Sequence, residues 1–226
     1  MNSMEVQGIR IKPGEHVTTM GIVGSGKTYF NRNGLLPTSY RAVILDSEED
    51  DYQDFPHVDV KHALRLAKSD YEFFCHIPTK GDRDFDEPVL EELCAGLLTK
   101  PYGHDFTFLI EEATDYSDAS YIPPYLHAIM RRARHHKISV IVSTQRPARM
   151  SKDYYSLSKH HFFFALDDFD VERTDYAKFL AEHAAEIPDG SYRCIYKRSG
   201  AAPDDITILA PVAKYDWAAR LRRMRQ

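Results

Sequence analysis

One eight-residue segment constrains this chain most, because it marks both a strand-to-helix transition and a chemistry. Residues 21–28 read Gly-Ile-Val-Gly-Ser-Gly-Lys-Thr, which fits the pattern G-x-x-x-x-G-K-S/T in full. The segment overlaps the end of a strand-like run, HVTTMGIV, and opens a helical pattern over residues 27–36. In such a loop, glycines let backbone N–H groups surround phosphates, and the helix N-terminus adds its positive dipole end. The sequence therefore predicts a phosphate-binding loop.

The residues of this loop have separate expected roles. We expect Lys27 to reach the β- and γ-phosphates of a nucleotide, and the hydroxyl of Thr28 to bind Mg²⁺. The predicted cofactors are accordingly ATP and Mg²⁺. The predicted nucleotide-binding residues are Gly21, Gly24, Ser25, Gly26, Lys27, Thr28 and Tyr29.

Short β-branched or aromatic runs recur along the chain and alternate with helical patterns. After the phosphate loop, the strand-like runs are RAVILD, YEFFCHI, FTFLIEE and ISVIVST. These runs do not alternate between apolar and polar residues, which is typical of strands buried on both faces. Helices are predicted over residues 61–68, 88–98 and 124–137, and the last two begin with proline. The alternation predicts an α/β fold with a mostly parallel sheet flanked by helices.

We expect one domain over residues 1–226, because no internal repeat, low-complexity tract or Gly/Ser linker divides the chain. Its core spans about residues 15–166, and a C-terminal extension of strands and a helix spans about residues 167–226. The runs HHFFFAL, SYRCIYK and DITIL predict further strands, and residues 217–225 a terminal helix. The three consecutive phenylalanines of the first run are predicted to be buried in a strand rather than to stack on bases.

Composition narrows the class of protein. The three cysteines are an odd number without metal-ligand spacing, which argues against a disulfide framework and a zinc module and predicts a reducing compartment. A mean hydropathy of −0.47 and the lack of an 18-residue apolar run predict no transmembrane helix, and the polar N-terminus has no signal-peptide core. A net charge of −5 excludes a uniformly basic nucleic-acid-binding protein, so polyanion binding requires local clusters of positive charge.

Such clusters are present. Six Lys and Arg residues and no acid lie between Arg131 and Arg149, and the last thirteen residues carry five Lys and Arg residues against Asp216 alone. We interpret the second cluster either as a solvated helix face or as a contact with DNA. The opposite charge is concentrated in LDSEEDDYQDF, which we interpret as a solvated acidic loop.

Two strand ends carry candidate catalytic residues. FTFLIEE ends in Glu111 and Glu112, and the carboxyl ends of strands in an open parallel sheet face the ligand. We expect Glu111 to contact Mg²⁺ directly or through water, and Glu112 to orient and deprotonate the attacking water. The next strand leads into Ser-Thr-Gln-Arg-Pro, where Gln145 is a candidate sensor of the γ-phosphate.

The phosphate loop, FLIEE and MRRARHHKISVIVSTQRPARM together resemble the FtsK–HerA superfamily of DNA-translocating ATPases. The matched stretch covers about residues 17–164. Within that superfamily, a chain with little outside the motor core is similar to the genome-packaging ATPases of icosahedral viruses with an internal membrane, the tectivirus-like group. RAVILD is similar to the second core strand of the family, but Ser-Glu-Glu replaces the usual Pro-Lys-Gly after Asp46, which we assign no catalytic role.

The resemblance implies a RecA-like P-loop NTPase core, a homo-oligomeric ring, taken as a hexamer, with ATP at subunit interfaces, and double-stranded DNA bound without sequence preference in its channel. It also implies a catalytic arginine supplied by the neighbouring subunit. The candidates are Arg131, Arg132, Arg134 and Arg146. Arg131 and Arg134 share a helix face, and we favour Arg134 and then Arg131.

We therefore predict an ATP-hydrolysing translocase that packages a viral genome into a preformed capsid. It would act in the host cytoplasm and at the packaging vertex of the virion, with capsid-vertex or packaging proteins as partners. The alternatives are a cellular or plasmid-borne HerA-type or conjugation translocase, a P-loop small-molecule kinase, and a nucleotide-dependent assembly switch. DNA would not stimulate a kinase, and a switch would not require Glu112.

Overall fold

One eight-stranded sheet runs through the described part of the chain, and a separate two-stranded hairpin precedes it. The computed structural model describes residues 4–47, 51–99, 106–173, 177–202 and 204–224, without the side chains of residues 133, 134, 169, 172, 173, 177 and 178. The strands are β1 (Met4–Val6), β2 (Ile9–Ile11), β3 (Val17–Met20), β4 (Arg41–Asp46), β5 (Phe73–Pro78), β6 (Phe106–Ile110), β7 (Ile138–Thr144), β8 (His160–Phe163), β9 (Cys194–Arg198) and β10 (Ile206–Leu209).

The large sheet is mostly parallel, as predicted. Its strand order is β10-β9-β8-β3-β7-β6-β4-β5, and the six strands from β3 to β8 run in the same direction. β9 pairs antiparallel with β8, and β10 pairs antiparallel with β9 at the edge of the sheet. The phosphate-loop strand β3 lies between β8 and β7, so the residues after all three strands meet at one edge.

Helices connect these strands. The α-helices are α1 (Lys27–Phe30), α2 (Val60–Ala67), α3 (Arg83–Leu98), α4 (Pro124–His136), α5 (Lys152–Leu157), α6 (Asp168–Arg173), α7 (Ala177–His183) and α8 (Trp217–Met224). The helix after the phosphate loop is α-helical only in its first turn, and it continues as a π-helix over Asn31–Leu35 and a 3₁₀ turn over Leu36–Thr38. None of the described helices is both long and apolar enough to cross a membrane.

The predicted start of the third helix is wrong. α3 begins at Arg83, so Pro88 lies inside it rather than in its first turn. The reason is a cap upstream of the proline: the Asp82 carboxylate accepts the N–H of Asp84 at 3.0 Å. The buried Asp86 carboxylate also accepts the N–H groups of Lys80 and Asp82 at 2.9 Å. These acids satisfy backbone donors that the apolar pattern alone does not reveal.

The strands of the sheet centre are buried on both faces, as predicted. In β4, Val43 and Leu45 pack against the layer formed by α2, α3 and α4, whereas Ala42 and Ile44 pack against the layer that contains α1, α8 and the β1–β2 hairpin. The three phenylalanines at the end of β8 are likewise buried. The core therefore extends on both sides of the sheet and holds the strand ends rigidly at the edge where the phosphate loop lies.

Candidate nucleotide-binding site

The loop between β3 and α1 has a backbone that requires glycine. Gly26 has φ 102° and ψ 8°, in the left-handed region, and it precedes the first residue of α1. At Gly21, an added Cβ would lie 2.6 Å from both Phe164 Cβ and Ser25 Oγ. Two positions of the motif therefore exclude a side chain for different reasons, one conformational and one steric. The result is a loop that turns tightly from the sheet into the helix.

Side chains of the motif close this loop on itself. The Ser25 hydroxyl donates to the Ile22 carbonyl at 2.7 Å, and Lys27 Nζ donates to the same carbonyl at 3.0 Å. Lys27 is buried, so its ammonium group lies over the loop rather than in bulk solvent. The backbone N–H of Ile22 donates to the Ala165 carbonyl at 2.8 Å, which ties the loop to the residues after β8. A cation thus lies against the loop whose backbone is suited to phosphate.

Glu111, the residue after β6, is a buried carboxylate held by two donors. The Tyr52 hydroxyl donates to Glu111 Oε1 at 2.6 Å, and Asn31 Nδ2 donates to the same oxygen at 3.0 Å. Burial raises the pKa of Glu111, whereas these two hydrogen bonds and the charge of Lys27 act in the opposite direction. The carboxylate is therefore fixed in orientation at the carboxyl edge of the sheet.

The oxygen atoms at this edge fit a magnesium ion that is shared with a nucleotide. No set of three or more His, Cys, Asp and Glu side chains in the described residues could hold a metal on its own. Mg²⁺ in nucleotide sites is bound by one or two protein oxygens together with phosphate oxygens and water, so such a set is not needed. Thr28 in the first turn of α1 and Glu111 after β6 are the oxygen donors that the sequence predicted for it.

The Glu112 side chain reaches the end of β7, the strand next to β6 in the sheet. Its Oε1 accepts a hydrogen bond from the Thr144 hydroxyl at 2.9 Å, and its Oε2 accepts the backbone N–H of Gln145 at 2.8 Å. The Thr144 carbonyl in turn accepts the N–H of Gly21, the first residue of the phosphate loop, at 3.2 Å. Thr144 therefore links the Glu112 carboxylate to the phosphate loop, with its hydroxyl bonded to one and its carbonyl to the other. A fixed carboxylate there can accept a proton from a water.

The other predicted residues lie in different environments. Gln145 is half-buried and contacts Glu112 through its backbone, and Tyr29 is 46% exposed on α1. Arg146 is exposed at the same edge as Gln145. The side chain of Arg134 lies outside the described residues.

Arg131 and Arg132 are exposed on α4, at the sheet edge opposite the phosphate loop. The neighbouring Met130 carbonyl accepts a hydrogen bond from Nε2 of His16, which directly precedes β3, at 2.8 Å. The structure therefore does not bring Arg131 or Arg132 to the phosphate loop of its own chain.

Three residues of the site were not predicted from the sequence. Asn31 lies four residues after Lys27, and this helical spacing could have indicated it. Thr144 directly precedes the predicted Gln145 in Ser-Thr-Gln-Arg-Pro, so its position in the chain could have indicated it. No sequence signal indicated Tyr52: the acidic segment that contains it was interpreted as solvated, yet Tyr52 and Phe55 are buried.

Comparisons with known proteins support the fold of this chain and identify no sequence family for it. No protein-family model matches the chain, and no curated protein matches it by sequence. Among solved structures, the genome packaging NTPase B204 from Sulfolobus turreted icosahedral virus 2, in complex with ATP-gammaS, has a TM-score of 0.67 and 18% identity. That alignment covers 90% of this chain and 100% of B204.

Two other solved structures match over nearly the whole chain. The bacterial conjugative coupling protein TrwBdeltaN70 has a TM-score of 0.63 and 10% identity over 96% of this chain and 90% of its own. The cytoplasmic domain of the type VII secretion ATPase EccC from Thermomonospora curvata has a TM-score of 0.56 and 8% identity over 95% of this chain and 26% of its own. The chain has the P-loop NTPase fold. The predicted RecA-like core and the predicted structural resemblance to packaging ATPases are confirmed at the level of the fold.

Proposed function

We propose that this chain hydrolyses ATP, and that it uses the free energy to move double-stranded DNA into a viral capsid. The observation that carries the ATPase part is the hydrogen-bonded position of Glu112 beside the phosphate loop, because hydrolysis needs a fixed base as well as a phosphate site. A nucleotide-binding switch requires the loop but has no need for a second fixed carboxylate.

The roles of the residues follow from their positions. Lys27 and the backbone N–H groups of residues 21–28 would bind the phosphates, and Thr28 and Glu111 would hold Mg²⁺, which supplies positive charge to the phosphate oxygens when bound. Glu112 would orient the attacking water and accept its proton. Gln145, whose backbone fixes Glu112, would sense the γ-phosphate with its side chain.

Movement of DNA is supported by the likeness to B204, named a genome packaging NTPase, and to TrwB, named a conjugative coupling protein. A motor that acts on any sequence must contact phosphates rather than bases, and the exposed arginines of α4 and α8 offer positive charge for that purpose. We propose a homo-oligomeric ring, a hexamer, that encloses the duplex, acts in the host cytoplasm and docks with capsid-vertex or packaging proteins of the virion.

The direct test of the ATPase is phosphate release by the wild-type protein and by Lys27→Ala, each with and without linear duplex DNA. Because Lys27 is the cation at the loop, we expect its removal to abolish ATP binding or turnover. Lys61→Ala on the exposed face of α2 is the matched control and should leave turnover unchanged. Near-normal turnover by Lys27→Ala would refute the assigned phosphate site, and wild-type turnover that ignores DNA would favour a P-loop kinase.

A further inference from the structure

The acidic segment between β4 and α2 packs into the candidate metal site. Tyr52 is fully buried, and its hydroxyl makes the shorter of the two hydrogen bonds to Glu111 Oε1, at 2.6 Å. Asn31, from the π-helical turn that follows α1, makes the other at 3.0 Å. Both donors bond to the same carboxylate oxygen, Oε1. The pair therefore restrains rotation of the carboxylate without a bond to Oε2.

A restrained carboxylate binds a metal better than one that must be ordered on binding. Hydrogen-bond partners of metal ligands orient the ligand, and their removal typically weakens metal affinity by about 10–100-fold. Tyr52 is suited to this task because its hydroxyl is fully buried and donates directly to the carboxylate. Its ring is also fixed by packing, with its centroid 5.9 Å from that of Phe55 and 6.0 Å from that of His76.

The C-terminal helix holds the same segment from the outside. The Trp217 ring lies 4.8 Å from the Phe55 ring and 5.0 Å from the Phe74 ring, measured between centroids. Trp217 Nε1 donates to the Arg32 carbonyl at 3.0 Å. The Arg32 side chain in turn forms an ion pair with Asp54 and donates to the Asp51 carbonyl. Residues 51–55 are thus contacted both by α8 and by the π-helical turn.

A second anchor keeps α8 in this position. The Arg220 guanidinium donates to Glu72 at 2.7 Å and to the Ser39 carbonyl at 2.7 Å, and it lies 4.5 Å from the centroid of the Phe74 ring. Arg220 is therefore used for docking, whereas Arg222 and Arg223 on the same helix are exposed. The two kinds of arginine allow docking of α8 to be separated from its surface charge.

We propose that Tyr52 is a positioning residue for the metal ligand Glu111, and that the docked C-terminal helix holds Tyr52 in place through Trp217 and Phe55. The magnesium dependence of nucleotide binding is then set partly by a helix that contributes no residue to the phosphate loop. This inference rests on the proposed nucleotide site and adds the way in which its metal affinity is controlled.

The first test is the affinity of a fluorescent, non-hydrolysable ATP analogue, measured in EDTA and across a magnesium titration. For Tyr52→Phe, we expect the half-saturating magnesium concentration to rise about tenfold or more, while the affinity in EDTA changes less than about twofold. The control is Tyr154→Phe, which removes an equally buried hydroxyl on α5 and should change neither value. Thermal melts of both variants show whether the fold is retained.

The outcomes separate this inference from the proposed function. If the wild-type protein binds no nucleotide, the proposed function fails. If magnesium strengthens wild-type binding and Tyr52→Phe behaves identically, the positioning role of Tyr52 is overturned and the proposed function stands. An equal loss of affinity with and without magnesium would also overturn it, because that result indicates a general disturbance of the site.

The second test addresses the helix. Arg220→Ala removes the docking ion pair, and Trp217, the only tryptophan in the sequence, reports the environment of α8 by its fluorescence. We expect a red-shifted emission together with a magnesium requirement raised in the same direction as in Tyr52→Phe. Arg222→Ala, which removes an exposed charge from the same helix, should alter neither. A magnesium requirement unchanged in Arg220→Ala would overturn the coupling between helix and metal site.

Discussion

At the scale of single residues, the backbone of Glu112 explains how its side chain reaches β7. The residue has φ 44° and ψ 70°, a left-handed conformation that costs a residue other than glycine about 1–2 kcal/mol. Hydrogen bonds to the carboxylate from Thr144 and from the N–H of Gln145 offset this cost. The Glu111 carboxylate accepts from Tyr52 and Asn31, whereas the Glu112 carboxylate reaches β7, so the two adjacent acids have different partners and can have different roles.

This difference predicts that substitutions of Glu111 and Glu112 have distinct effects on ATP hydrolysis. In Glu112→Gln the amide can still hold water but cannot accept its proton, so we expect ATP binding to persist and phosphate release to fall about 10²–10⁴-fold. Glu111→Gln should instead raise the magnesium concentration needed for turnover. Glu92→Gln, an exposed acid on α3, serves as the control. The test measures nucleotide binding and phosphate release of each variant side by side. Identical behaviour of Glu111→Gln and Glu112→Gln would contradict the division of roles between the two carboxylates.

Local sequence patterns could identify the site residues that lie in a recognisable loop motif or at the end of a strand. Lys27 and Thr28 belong to a motif, and Glu111 and Glu112 follow an apolar run, so each was assigned from its neighbours in the chain. Tyr52 could not be assigned in this way. Its role depends on a contact 59 positions away in sequence, which forms only when the acidic segment packs under α8.

At the scale of elements, the strand centres were predictable and several ends were not. Long apolar runs identify β4 and β7 because strands buried on both faces contain little else. The β1–β2 hairpin was not predicted, because its strands have only three residues each and give no clear apolar run. In the structure, Gln7 and Gly8 form its tight turn, with φ 47° and 83°. The helix predicted over residues 27–36 is present, but its change from α-helix to π-helix at Asn31 leaves no mark in the apolar pattern.

The histidine at the second position of β8 predicts a pH dependence of stability. His161 is buried, its Nδ1 lies 2.7 Å from Thr18 Oγ1, and burial lowers its pKa from 6.5 to about 3. Below pH 6.5 the unfolded chain therefore binds a proton that the folded chain does not. Its contribution to stability is complete above that pH and decreases toward pH 3, by at most about 1.4 kcal/mol per pH unit.

Urea unfolding between about pH 7 and pH 5 tests this effect. The free energy of unfolding should fall with pH in the wild-type protein, and His161→Gln should reduce the slope. His62→Gln, on the exposed face of α2, should leave the slope as it is. Burial raises the pKa of Glu15, but hydrogen bonds with His160 and Lys159 outweigh this effect and lower the pKa to about 2. In the folded protein, Glu15 therefore changes charge below this pH window. Equal slopes in all three proteins would contradict the assignment to His161.

At the scale of the whole molecule, Arg131 lies away from the phosphate loop of its own chain, so it would have to act on the nucleotide of a neighbouring subunit. In the proposed ring, the exposed edge of one subunit would meet the nucleotide site of the next, and a cation delivered there can raise phosphoryl-transfer rates by about 10³–10⁵. We therefore expect the ATPase rate per subunit to rise with protein concentration as complete sites assemble.

Mixing experiments test this arrangement. Arg134→Ala and Glu112→Gln should each be inactive alone, and their mixture should recover activity, because one subunit supplies the arginine and the other the carboxylate. The same experiment with Arg131, Arg132 and Arg146 variants identifies the residue involved. Failure of every mixture to recover activity would leave an active monomer or another arginine as the explanation.

The measurement that tests the central claim most directly is displacement of a third strand from a linear duplex, which reports movement along DNA rather than binding. We predict that the wild-type protein displaces the third strand only with hydrolysable ATP and magnesium, whatever the duplex sequence, and that Glu112→Gln binds the same DNA without displacing it. A protein that hydrolyses ATP in the presence of the duplex and leaves the third strand in place would contradict the account.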